Sequence, residues 1–178
     1  YVIVTVAWLA FSLFGMLPFY LSGYIPSITN AFFETMSGFS STGATILNDI
    51  EKLPHGLLFW RSMTQWIGGL GIVFFTIAVL PIFGVGGIQV FAAEASGPTH
   101  DKVHPRIGIT AKWIWGIYAG LTGTLIILLM FGGMNIFDSI CHAFATTSTG
   151  GFSTKQASIE YYHSPYIEYV ISIFMFIS

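Results

Sequence analysis

Two tripeptides of hydroxyl residues and glycine, Ser41-Thr42-Gly43 and Ser148-Thr149-Gly150, offer the chemistry this chain is best equipped to perform. Serine and threonine bring hydroxyl oxygens. Glycine lets the backbone turn successive carbonyl oxygens to one side, because it reaches backbone angles that a Cβ disfavours. Converging oxygens of this kind can replace the water shell of a desolvated cation. Competing chemistries find little support. The stretches from Tyr1 to Phe33, from Ser62 to Ala93 and from Trp113 to Phe137 contain no Asp, Glu, His or Lys, so they hold no paired nucleophile and base and no metal set. His100 and His104 are four apart and could share a helix face, but Pro105 follows at once and no third ligand is evident. No enzymatic activity, cofactor or zinc site is expected. Cys141 is the only cysteine, so no disulfide framework or CxxC redox pair is possible.

The elements around the tripeptides must place them in an apolar medium. Only 8% of the 178 residues are charged and 54% are hydrophobic, against about 25% charged in a soluble domain. The charge-free runs are long enough to cross a bilayer core, which takes roughly 20 apolar residues. The expected class is therefore an all-α integral membrane protein. A net charge of −2 gives no reason to expect a nucleic-acid partner. The first span should run about 1–21 and break at Ser22-Gly23-Tyr24-Ile25-Pro26. Residues 30–37 then form a helix too short to cross, with Phe32, Phe33 and Met36 at helical spacing. The first tripeptide follows, then a polar stretch to Pro54, a second span over 57–80 ending at Pro81, and a third over 107–130 closed by Gly132-Gly133.

The pattern then repeats. Matching Ser41 to Ser148 gives an offset of 107 (148 − 41), which carries the first span onto the third and the short helix onto 137–144. There Phe137, Ile140, Cys141 and Phe144 again mark one face. The expected domains are a first span–short helix–loop–span module over 1–80, a connector over 81–107, and a second module over 108–178 cut within its last span. One such tripeptide alone reads as an external turn. Two in register, each behind a half-length helix, read as re-entrant loops, because non-helical backbone survives at membrane depth only inside protein or beside a wet cavity. Each half-helix would aim the negative end of its dipole at the loop, which favours a cation. Asp138, near the start of the second half-helix, suits the positive end of that dipole, whereas Glu34 lies a turn into the first.

Phe32-Phe33-Glu34-Thr35-Met36-Ser37-Gly38-Phe39-Ser40-Ser41-Thr42-Gly43-Ala44-Thr45, Trp60–Gly71, the connector Glu94–Arg106 and His142–Thr154 resemble the Trk/Ktr/HKT superfamily of potassium transporters, most closely its bacterial TrkH branch. The resemblance implies potassium as the transported ion, with Ser41, Thr42, Gly43, Ser148, Thr149 and Gly150 in the filter. It further implies four linked modules around one pore, with this chain holding the first and most of the second. A homodimer, a cytoplasmic nucleotide-binding regulatory subunit similar to TrkA, and a multi-pass location in the bacterial cytoplasmic (inner) membrane complete the picture. Aligning Gly43 and Gly150 with the first glycine of a TVGYG filter leaves Thr45 and Phe152 where its second glycine would be. The outer carbonyl sites should then be less regular, so a less selective sodium/potassium transporter is one alternative. A two-loop potassium channel subunit that completes its pore by dimerisation is another.

Several residues carry smaller expectations. Arg61 is expected to snorkel to the interface, the alternatives being a pair with Glu34 or with Asp49. Gly68, Gly69 and Gly71 read as close-packing residues more readily than as a hinge, and Gly116, Gly120 and Gly123 as packing residues too. His142 should be packed against a neighbour, and Tyr161, Tyr162, Tyr166 and Tyr169 should form an interfacial belt. Basic residues divide three and three, with Lys102, Arg106 and Lys112 in the connector and Lys52, Arg61 and Lys155 on the loop side. The family resemblance puts the connector in the cytoplasm, where it would help dock the regulatory subunit.

Overall fold

The computed structural model describes residues 2–79 and 107–178. The expected connector, with His100, His104, Lys102 and Arg106, lies outside the described residues apart from Ile107, which opens a helix. Every regular element among the described residues is helical: α1 Val2–Gly15, α2 Leu17–Leu21, α3 Ile28–Phe39, α4 His55–Val79, α5 Ile107–Phe131, α6 Ile136–Thr147 and α7 Pro165–Ile177, with short 3-10 helices at Ile50–Lys52 and Ser158–Tyr162.

The first expected span is thus two helices interrupted at Met16. Pro18 explains the break: it has no N–H for the carbonyl one turn back, and its ring crowds that carbonyl. The indole Nε1 of Trp60 donates to Gly15 O at 2.9 Å, tying α4 to the break. The two half-length helices, α3 and α6, are 12 residues each, about 18 Å at the helical rise per residue. Neither can cross a bilayer. Their starts are set by side-chain caps: Ser27 Oγ accepts from Asn30 N–H (3.4 Å), and Asn135 Oδ1 accepts from Asp138 N–H (2.8 Å). Lys112–Phe131 is long and apolar enough to span, while Thr5–Leu21 and Pro165–Ile177 are shorter apolar helices.

Each module has its own core. Phe19, Ile25, Ala31, Ile50, Leu53, Leu57 and Leu58 pack together in the first. Leu125, Leu129, Met134, Ala143, Ile167 and Ile171 do so in the second. Large apolar side chains also point outward, with Phe131 80% and Phe176 93% exposed, as an exterior solvated by lipid allows. Tyr161, Tyr166 and Tyr169 are exposed as a belt requires. Tyr162 departs from that expectation, packing edge-on against His142 with ring centroids 5.7 Å apart.

α4 lies between the half-helices and contacts both. A Cβ on Gly68 would run into the backbone of Phe39, and one on Gly69 would meet Tyr118 Oη at 2.9 Å and Ser148 Cβ at 3.0 Å. These two glycines are close-packing residues, whereas Gly71 has nothing within 4 Å of such a Cβ. At Gly116, Gly120 and Gly123 an added Cβ meets nothing within 4 Å among the described residues. Gly68→Ala should therefore destabilise by about 1–3 kcal/mol through overpacking. Gly120→Ala should be neutral or stabilising by up to about 1 kcal/mol through helix propensity. Thermal unfolding of the two full-length variants in detergent checks this; equal melting temperatures would contradict it.

Candidate functional site

Each half-helix runs directly into its loop, and the loop folds back onto the helix end. On the first, Ser40 N–H donates to Met36 O (2.9 Å), Ser41 N–H to Gly38 O (3.0 Å) and Thr42 N–H to Ser37 O (3.0 Å). On the second, Ser148 N–H donates to Phe144 O (3.3 Å), Thr149 N–H to Thr146 O (2.9 Å) and Gly150 N–H to Ala145 O (2.8 Å). Ser41 and Thr149 then hold left-handed φ angles of 53° and 52°, and Gly43 and Gly151 follow at 75° and 83°. Non-glycine residues rarely adopt such angles, and a β-branched threonine least of all. The same strained turn is built twice.

This geometry corrects the register of the repeat. Ser41 corresponds to Thr149 and Gly43 to Gly151, a step of 108 (149 − 41), not 107. The caps agree, since Ser27 and Asn135 are also 108 apart (135 − 27). Ser148 is the C-cap of α6 and so corresponds to Ser40, the C-cap of α3. Ser148 Oγ is turned back onto Phe144 O (2.9 Å) and Ala145 O (3.1 Å). Gly150 does not carry the unusual φ expected of it; Gly151 does. The glycine at 150 has another cause: a Cβ there would lie 2.5–2.6 Å from Gln65 Nε2 and Oε1. The sequence was ambiguous because Ser-Ser-Thr-Gly-Ala and Ser-Thr-Gly-Gly-Phe match in either register. The spacing of the two helix caps was the signal that separates them.

The two loops touch. A Cβ on Gly43 would overlap the carbonyl oxygen of Gly150. Thr42, Thr149 and Gly151 are exposed beside this contact, while Ser148 and Gly150 are buried.

Behind the contact stands a polar cluster that only the folded chain assembles. Glu34 on α3 is buried, and its carboxylate accepts from Thr45 Oγ1 (2.8 and 3.0 Å), Ile46 N–H (3.1 Å) and Arg61 Nε (2.6 Å). Arg61 on α4 is 2% exposed, so it pairs with Glu34 instead of snorkelling. Asp49 pairs with Lys52 at 2.6 Å. Arg61 Nη1 also donates to Ser153 O (2.9 Å), and its guanidinium lies 3.6 Å from the centre of the Phe152 ring. One arginine thus joins the descending limbs of both loops. The second limb has a carboxylate of its own: Asp138 accepts from Thr154 Oγ1 (2.6 Å) and from Asn135 Nδ2 (2.8 Å). That reciprocal cap is a firmer role than the dipole alone gives it. His142 is buried and packed, its Nδ1 2.8 Å from Asp138 O and its Nε2 2.9 Å from Ser153 Oγ.

Chemically, the arrangement presents two strained backbone turns, stiffened from behind and open in front. Its oxygens are neutral and its carboxylates are committed to internal bonds. That suits coordination of a weakly held cation.

The whole chain, residues 1–178, matches the family model for TrkH, described as a cation transport protein. It is 49% identical to the Trk system potassium uptake protein TrkH of Escherichia coli K12 over 180 residues, covering 100% of this chain and 37% of that protein. Against the Trk system potassium uptake protein TrkG of the same organism the identity is 36%, with the same coverage. The crystal structure of the potassium transporter TrkH from Vibrio parahaemolyticus superposes with a TM-score of 0.82 at 38% identity, over 99% of this chain and 35% of that one. The chain spans a little over a third of the length of these relatives. It belongs to the TrkH family of cation transport proteins.

Proposed function

We propose that this chain supplies two of the pore loops of a bacterial potassium uptake protein. The observation that carries the reading is the duplicated strained turn, Ser41–Gly43 and Thr149–Gly151, whose two copies meet where Gly43 abuts Gly150. In this reading such turns would present backbone carbonyls as part of a ring, and a ring of carbonyls substitutes for the hydration shell of potassium. The names of the relatives, potassium uptake proteins, agree with that ion. Of the residues expected from sequence, Ser41, Thr42, Gly43 and Thr149 line the site directly. Gly150 forms the contact between loops, Ser148 caps the half-helix, and Gly151 joins the set.

The remaining modules of the full-length chain would complete the ring, and the protein would sit as a homodimer in the cytoplasmic (inner) membrane. A TrkA-like nucleotide-binding subunit would dock on its cytoplasmic side. Charge reversal at Lys102 and Arg106 should then weaken co-purification with that subunit. Unchanged recovery in both variants would count against this docking site.

The direct test is uptake by the full-length protein in cells that lack their own potassium transporters. Growth at low potassium and saturable rubidium uptake are expected. Uptake that ignores potassium but follows sodium would favour the less selective alternative. A full-length reading frame with only these two loops would favour the two-loop channel subunit.

A further inference from the structure

Gln65 lies one turn along α4 from Arg61, is fully buried and touches both loops. Its Oε1 accepts from Phe152 N–H at 3.1 Å, immediately after Gly151. Only the carbonyl end of a carboxamide can accept that N–H, so the side chain cannot be turned over, and its NH2 must face the other way. There it meets the two glycines. Nε2 is 2.5 Å from where a Gly150 Cβ would be and 3.7 Å from where a Gly43 Cβ would be. Among the described residues Nε2 has no hydrogen-bond partner. A buried amide donor without a partner is costly, and accepting from Phe152 N–H calls only for the carbonyl end. Gln65 therefore carries a polar group at the seam between the loops that packing does not require.

We propose that Gln65 is a specificity-determining positioning residue of the pore, an inference that rests on the potassium reading above. Its carboxamide is the spacer that sets the distance between the first and second loops. Its unspent N–H is the donor for a loop carbonyl at the Gly43–Gly150 contact that turns off the pore axis when no well-fitting ion holds it there. A potassium ion keeps that carbonyl facing the axis. Sodium, too small to reach all the oxygens, leaves it free to turn onto Gln65, and the site closes to sodium. Sodium rejection thus depends on an amide that touches no ion.

The test compares Gln65→Met, which keeps length and removes both polar ends, with Gln65→Asn, which keeps both on a shorter stem. Each is placed in the full-length protein, and rubidium uptake is measured with and without competing sodium. Gln65→Met is expected to lower potassium-over-sodium preference about tenfold, in line with one buried hydrogen bond, with the protein still reaching the membrane. Gln65→Asn should raise the KM for potassium and lose part of the preference. If neither variant shifts the ion ratio, or if neither reaches the membrane, Gln65 is a folding element and the proposal is overturned. A Gly43→Ala variant run alongside separates the two ideas. If it too transports normally, the loop assignment fails; if it is impaired while both Gln65 variants are normal, only the role of Gln65 fails.

Discussion

Arg61→Leu is expected to be the most damaging single change in the described part of the chain. It removes the one cation that, among the described residues, pairs with the Glu34 carboxylate, which is 1% exposed, and leaves Ser153 O without its donor. Removing one partner of a buried ion pair costs about 3–5 kcal/mol, because the other charge stays buried without compensation. Much of the damage should be curable from the other side. Adding Glu34→Gln to Arg61→Leu removes the orphaned charge and keeps an acceptor for Thr45 Oγ1 and Ile46 N–H. The double variant should be more stable than Arg61→Leu alone, by a margin that measures the penalty of the lone carboxylate. Thermal unfolding of the full-length wild type, both single variants (Arg61→Leu and Glu34→Gln) and the double variant in detergent reads this directly. An Arg61→Leu protein that melts with the wild type would refute the clamp.

Gly43→Ala should have the largest effect on ion preference. The residue sits at φ 75°, and its new methyl would overlap the Gly150 carbonyl, so the substitution strains its own loop and displaces the other. The backbone strain alone is about 1–3 kcal/mol, enough to populate a different arrangement of carbonyls. At Gly151 the φ is 83°, but a Cβ would meet nothing within 4 Å, so Gly151→Ala carries the strain without the collision. Gly150→Ala carries the collision without a positive φ, against a Gln65 side chain that can shift. The expected order of lost discrimination is therefore Gly43→Ala first, with Gly150→Ala and Gly151→Ala behind it. Rubidium uptake with sodium competition ranks them. An unimpaired Gly43→Ala protein would remove the loop contact from the mechanism.

The module plan was legible because it rests on local rules. Apolar run length separates spans from half-helices, and Gly and Pro mark the breaks. The exact register was not, since the Ser-Thr-Gly match competes with the pairing of Gly43 and Gly151 one residue away. The fastening of the site was less legible still. Arg61 meets Glu34 across 27 positions and Ser153 across 92, and Gln65 meets Phe152 across 87. No periodicity encodes such pairs; packing of α4 between two half-helices creates them. Snorkelling was the natural expectation for Arg61 because a cation near a helix end can usually reach water. Here three partners around it make burial tolerable.

The two loops are alike in backbone and unlike in their attachment. Glu34 answers to an arginine, while Asp138 answers to an asparagine and a threonine, and Arg61 spends its remaining reach on the second loop. In a pore of identical subunits, any substitution strikes every quadrant at once, and stiffness is shared evenly. A tandem chain escapes that constraint. Its seam between the first and second loops is braced by charge, so distortion imposed by a misfitting ion should be resisted at this wall. Each loop can then be tuned by selection separately, because different side chains hold the two.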